Sequence, residues 1–263
     1  MTRLKTTFEA CAAEGRAALV GYMTAFDPDM QGSIDRMCAA CEAGVDVLEV
    51  GVPFSDPSAD GPDVQAAMVR ALDAGSSLGG VLEVVSAVRA RHDTPIVLFS
   101  YCNPLLSRPA GVDATMKEAA QAGVDAVLVV DLPPESAAML RDPARAAGLD
   151  WVGLVAPTSH EARRARIRDI STGFVYAVSL TGVTGSALDT SDQGLRTYLA
   201  ELREGSNLPV CVGFGVRSRD QVRALAPLVD GVVVGSALVR AATEGTETLR
   251  ALVRDLATGL ARS

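Results

Sequence analysis

Histidine is almost missing from this chain of 263 residues: only His92 and His160 occur, each in a polar stretch flanked by arginine. That scarcity removes a histidine-dependent triad and a histidine-rich metal site, and it leaves carboxylates as the acid–base groups. Positive charge is also short, with 24 Lys and Arg against 32 Asp and Glu and a net charge of −8. There is no basic face to displace counterions, so nucleic acid is not expected as a partner. The one cluster, Arg163, Arg164, Arg166 and Arg168, sits among Glu161 and Asp169 and reads as a solvated helix face. Five cysteines do not make a disulfide framework. Cys38 and Cys41 form a CxxC, but they lie in a helical pattern with Ile34 and Met37 that ends at Gly44, and no second pair completes a zinc site. No apolar run reaches the length of a membrane span, and the first residues lack the apolar core of a signal peptide. A cytoplasmic protein without a membrane partner is expected.

What is present is a strict alternation. Short apolar runs at 18–24, 45–50, 96–100, 124–130, 151–156, 174–179, 210–214 and 231–235 read as eight strands, separated by amphipathic stretches. The junction Ala43-Gly44-Val45-Asp46 recurs as Ala122-Gly123-Val124-Asp125, with a weaker echo at Ala147-Gly148-Leu149-Asp150. Each glycine can end a helix in the left-handed conformation just before a strand. Eight such units predict a single α/β domain over 1–263, a (β/α)8 TIM barrel. A doubly wound open sheet is the alternative, but the first strand lacks the Gly-x-Gly-x-x-Gly loop of its dinucleotide-binding form. Residues 2–15 read as an extra helix that plugs the barrel floor, and 237–243 as a short extra helix ahead of a final one at 246–260. Pro143 is expected to kink or split the helix after the fourth strand.

The most informative stretch follows the second strand. Glu49 stands near the strand's end, and Gly51-Val52-Pro53-Phe54-Ser55-Asp56-Pro57 leads to Ala59-Asp60-Gly61-Pro62. Three prolines and two glycines make this loop stiff and turn-rich. A charge on a barrel strand buried on both faces is expensive unless it is solvated or used, and desolvation would raise its pKa into the range of a proton shuttle. Asp60 carries two readings, an acid–base partner or an ordinary Ala-Asp-Gly turn. Barrel sites lie at the C-terminal ends of the strands, with phosphate often held after strands seven and eight. Gly182-Val183-Thr184-Gly185, Gly213-Phe214-Gly215 and Gly235-Ser236 stand there, and their backbone amides suit an anion without an obvious Lys or Arg.

These residues resemble the alpha subunit family of tryptophan synthase over roughly 8–260. The likeness runs through Glu49 to Pro57, Ala59 to Pro62, Gln65, Tyr101-Cys102-Asn103-Pro104, Asp131-Leu132-Pro133, Gly182 to Gly185, Gly213 to Gly215, Gly235-Ser236, and Thr24 with Asp27-Pro28. The resemblance implies reversible retro-aldol cleavage of indole-3-glycerol phosphate to indole and glyceraldehyde 3-phosphate. Glu49 would be the acid–base residue and Asp60 the carboxylate that receives the indole N–H. Tyr22, Tyr101, Tyr176 and Thr184 would contact substrate, and Gly185, Gly213, Gly215, Gly235 and Ser236 would hold the phosphate. No cofactor or metal is implied in this chain. Pyridoxal phosphate would sit in a beta subunit that receives the indole within an alpha2beta2 heterotetramer, facing Pro53, Phe54, Asp56, Pro57, Asn103 and Pro104. Alternatives are a free-standing indole producer, a phosphate-binding activator without catalysis, and a sugar-phosphate isomerase or epimerase. The last usually needs a Lys, His or metal at the strand ends.

Departures from the family pattern carry their own expectations. Phe26 replaces a usual glycine, predicting a reshaped loop after the first strand. Ser58 and Asp63 replace Leu and a Thr or small apolar residue, and Asp63 is expected to raise the Asp60 pKa by like-charge repulsion. Ser186-Ala187-Leu188 stands where an arginine is common, which bears on closure of that loop over the substrate.

Overall fold

The computed structural model describes residues 2–179, 190–213 and 215–262. Eight parallel strands close into a barrel in chain order: β1 (Ala18–Thr24), β2 (Val47–Gly51), β3 (Ile96–Ser100), β4 (Ala126–Val129), β5 (Asp150–Val155), β6 (Val175–Val178), β7 (Val210–Gly213) and β8 (Gly231–Val234), with β8 pairing back onto β1. The helices are α1 (Arg3–Ala13), α2 (Met30–Ala43), α3 (Pro62–Asp73), α4 (Leu78–Arg89), α5 (Cys102–Leu106), α6 (Gly111–Ala122), α7 (Ala138–Ala146), α8 (Glu161–Ile170), α9 (Gln193–Glu204), α10 (Arg219–Leu225), α11 (Ser236–Glu244) and α12 (Thr246–Ala257). The expected (β/α)8 barrel is therefore the observed one, with the extra helices α1 and α11 in place.

Strand parity divides the core in two. One set of side chains, including Val20, Val47, Val97, Leu128, Val152, Cys211 and Val233, fills the barrel interior together with Leu4, Phe8 and Cys11 from α1. Phe8 packs on Phe174 at 5.8 Å between ring centres, so α1 closes the floor. The opposite parity packs Leu19, Leu48, Leu98, Val127 and Val212 against the helices. Among the described residues no single helix is long and apolar enough to cross a membrane. Pro143 lies inside one continuous helix, α7, so it does not split the helix. It cannot bond the Met139 carbonyl.

The repeated Gly-Val-Asp junction has a mechanical role. Gly44 and Gly123 end their helices at φ of 120° and 99°, and the aspartate that follows each clasps the preceding strand. Asp46 accepts the Leu19 N–H at 2.8 Å and the Arg16 guanidinium at 2.7 and 2.8 Å. Asp125 accepts the Ile96 N–H at 2.8 Å, with Arg89 at 2.6 Å and Arg3 at 3.0 Å. Asp230 repeats the motif on Val210 N–H at 3.0 Å, with Arg203 and Arg262. Before β6 the place is taken by Thr172, whose Oγ1 accepts the Trp151 N–H at 2.8 Å. Even-numbered strands thus clasp their odd-numbered predecessors around the floor, whereas Asp150, opening an odd-numbered strand, forms no such clasp. Asp125 is the most enclosed of the three carboxylates, at 8 % side-chain exposure. Asp125→Ala strands one strand N–H and two arginines, and is expected to destabilise the chain by about 3–5 kcal/mol in urea unfolding.

Candidate active site

Parity brings Glu49 into the barrel. Val47 and Glu49 share one face of β2 while Leu48 and Val50 face the helices, and Glu49 lies in register between Tyr22 of β1 and Val97 of β3. Its side chain is fully buried, and among the described residues neither carboxyl oxygen has a hydrogen-bond partner. Desolvation alone pushes its pKa up to about 8. A carboxyl kept neutral in this way can donate a proton near neutral pH.

Asp60 arrives from the loop after β2, one residue before Gly61, the N-cap of α3. Tyr101 Oη donates to its Oδ2 at 2.7 Å and itself accepts the Ala59 N–H at 2.9 Å. Gln65 Nε2 donates to the Asp60 carbonyl at 2.7 Å, so both the carboxylate and the backbone are held. Burial pushes the Asp60 pKa up to about 6, and the Tyr101 hydrogen bond works in the opposite direction. Asp63 has no part in this. Its carboxylate pairs with Arg240 of α11 at 2.6 Å, which corrects the expected like-charge effect: burial, not Asp63, raises Asp60.

The two carboxyls face one cavity together with Tyr22, Val64, Phe99, Tyr176, Val233, Gly215, Arg217, Gly235 and Ser236. Tyr22 meets Phe99 edge-to-face at 5.1 Å and 74°, giving an apolar aromatic corner. Burial lifts the Tyr22 and Tyr176 hydroxyls well above their ordinary pKa, so both stay neutral. Gly235 and Ser236 present the N-terminus of α11, which has no side-chain cap, on the cavity wall beside Tyr22. Uncapped amides at a helix start form a ready anion site.

Other expected site residues fall elsewhere. Tyr101 stands behind Asp60 and does not line the cavity; its contribution is the hydrogen bond to the carboxylate. Gly213 also lies off the cavity wall. A Cβ there would meet Tyr176 Oη at 2.1 Å, so its missing side chain makes room for the tyrosine, just as Gly51 makes room for Tyr22. Thr184 and Gly185, with Ser186 to Leu188, lie outside the described residues. Phe54 and Pro57 are half-buried and Asp56 and Asn103 exposed, whereas Pro53 is buried, so it offers a partner little surface. Pro53 and Pro104 nevertheless line one surface groove, which joins the two loops into a single face. Phe26 has a φ of 64°, in the left-handed region that glycine adopts freely. It is a strained residue whose buried ring packs over Gly80.

The residues that the sequence reading missed are Phe99, Val64, Val233 and Arg217. The first three are ordinary core letters that only barrel closure sets around a ligand. Arg217, two positions beyond Gly215, was open to inspection as the basic residue nearest the strand-seven loop.

Comparison with known proteins is consistent with this geometry. The family model described as tryptophan synthase alpha chain matches residues 8–261. The chain belongs to the tryptophan synthase alpha chain family. As a member it is a carbon–carbon lyase that cleaves indole-3-glycerol phosphate. The tryptophan synthase alpha chain of Halorhodospira halophila is 49% identical over 242 residues, covering 91% of this chain and 87% of that one. That of Desulfatibacillum aliphaticivorans is 47% identical over 248 residues, covering 94% and 92%. A chain from the tryptophan synthase structure of Mycobacterium tuberculosis superposes with a TM-score of 0.92 at 41% identity, covering 99% of this chain and 98% of its own. The remaining alternatives, an isomerase or epimerase barrel and a doubly wound sheet, are excluded by family membership and by the closed barrel.

Proposed function

We propose that Glu49 is the proton shuttle of the cleavage and Asp60 its electrostatic partner. The observation that carries this is the buried Glu49 carboxyl, without a partner among the described residues, in one cavity with the tyrosine-braced Asp60 and an uncapped helix start. The neutral Glu49 gives its proton to indole C3. The positive charge that develops on the ring nitrogen is met by the Asp60 carboxylate, which accepts the N–H. The bond from C3 to the side-chain carbinol then breaks, and the Glu49 carboxylate takes the hydroxyl proton as that carbon becomes the aldehyde of glyceraldehyde 3-phosphate. Indole leaves, and Glu49 ends protonated as it began. The aromatic corner of Tyr22 and Phe99 suits the apolar indole ring, and Gly215, Gly235 and Ser236 suit the phosphate.

Product fate follows from the loops around the site. The face formed by Phe54, Asp56, Pro57, Asn103 and Pro104 would meet a beta subunit in an alpha2beta2 heterotetramer, which would take up the indole and carry the pyridoxal phosphate. The alpha reaction itself needs no cofactor, since the proton steps are met by the two carboxyls. We place the assembly in the cytoplasm. The test is release of glyceraldehyde 3-phosphate from indole-3-glycerol phosphate by the purified chain, with and without a beta subunit. Slow turnover that rises strongly with the partner is expected. Fast turnover indifferent to the partner would mean a free-standing indole producer, and none in either state a non-catalytic activator.

A further inference from the structure

The cavity holds two acids, and the substrate that enters it is itself an anion. Among the described residues on its wall, Arg217 is the only basic residue. Residues 180–189, which follow β6, contain no Lys or Arg in the sequence. Arg240, the other arginine near the start of α11, is engaged by Asp63 at 2.6 Å and does not line the cavity. We propose that Arg217 is the charged contact to the substrate phosphate, supplementing the neutral backbone cradle at Gly215, Gly235 and Ser236. The proposal rests on the lyase reading above and adds a binding residue to it.

Three observations carry it. Arg217 stands on the same cavity wall as Gly215, Gly235 and Ser236. Its backbone N–H donates to Gln221 Oε1 at 2.8 Å, which ties the residue to α10 and fixes where its side chain begins. The residue is half-buried, and charges at a partly enclosed cavity wall are screened less than on an open surface. A planar guanidinium matches two phosphate oxygens at once. It also offsets the repulsion between the phosphate and the ionised Asp60 in the same cavity, which amides alone, carrying no net charge, do less well.

The test uses the full chain, with Arg217→Gln and Arg217→Lys beside the wild type. Inorganic phosphate and indole-3-glycerol phosphate are the probes. Arg217→Gln is expected to raise KM for the substrate and Ki for inorganic phosphate together by about 10- to 100-fold, the range of a lost charge-assisted hydrogen bond. The change in kcat is expected to be smaller. Arg217→Lys should recover part of both constants, and the rise of KM with added salt should flatten in the Gln variant alone. A Gln variant whose phosphate Ki stays within twofold of wild type overturns the proposal, as does one that loses kcat without a change in Ki. Calorimetric titration with phosphate reads the site even if the wild type fails to turn over, which separates failure of this assignment from failure of the lyase reading.

Discussion

Glu49→Gln is expected to lower cleavage of indole-3-glycerol phosphate by about 10²- to 10⁴-fold, the usual contribution of a positioned acid–base group. The same change is expected to make the chain more stable at high pH. The Glu49 proton is held more tightly in the folded chain, where burial pushes the pKa from the ordinary 4.5 to about 8. Below about pH 4.5 both folded and unfolded chains carry the proton, and ionisation contributes no difference. As pH rises from there to about 8 the unfolded carboxyl ionises while the folded one stays neutral, so folding stability is progressively lost. The full loss is on the order of 4 kcal/mol above that window. An amide has nothing to ionise and escapes it. Thermal melts of wild type and variant should therefore converge near pH 4.5 and diverge by roughly 5–10 °C at pH 9. Parallel melts across this range would mean that Glu49 titrates normally in the folded chain, and the proton-shuttle assignment would lose its physical basis.

The second expected result is a bell-shaped dependence of kcat/KM on pH, with limbs near 6 and 8. Asp60 must be ionised to meet the charge on the indole nitrogen, so the rate rises through about 6. Glu49 must be protonated to attack C3, so the rate falls through about 8. Tyr101→Phe removes a donor that favours the ionised Asp60, so the acidic limb should move to higher pH by about one pH unit. Asp60→Asn should abolish that limb and lower the rate by about 10²- to 10³-fold, leaving the alkaline limb where it was. A Tyr101→Phe profile that superimposes on the wild type would separate Asp60 from the acidic limb. Burial keeps the Tyr22 and Tyr176 hydroxyls neutral throughout this range, so neither contributes a limb.

Much of this site was open to reading before any coordinates, for reasons that differ residue by residue. Glu49 stood out because a charged residue in an apolar strand is costly, whereas the parity with Val47 that turns it into the barrel came only from the structure. The loop after β8 stood out because glycine and serine before a helix leave amides free, and Gly235 and Ser236 do line the cavity. The same signal misled at Gly213, where the glycine clears space for the Tyr176 hydroxyl instead. One letter serves both purposes, and only the neighbour across the barrel tells them apart. Tyr101 was expected to contact substrate and Asp63 to act on Asp60, but their partners lie 41 and 177 residues away, at Asp60 and Arg240. Long-range pairing of this kind leaves no local trace.

The sequence by itself determined the alternating eight-strand pattern, because buried parallel strands demand continuous apolar runs and helix ends demand glycine. It also pointed acid–base work towards carboxylates, because scarcely any histidine is available. Tertiary structure alone decided that Asp60 is braced by Tyr101, that Asp63 is neutralised by Arg240, and that Arg217 stands on the cavity wall. Those facts depend on closing the barrel, since closure sets residues of β1, β2, β3, β6 and β8 and the loops after β2, β7 and β8 around one cavity and withdraws its carboxyls from water.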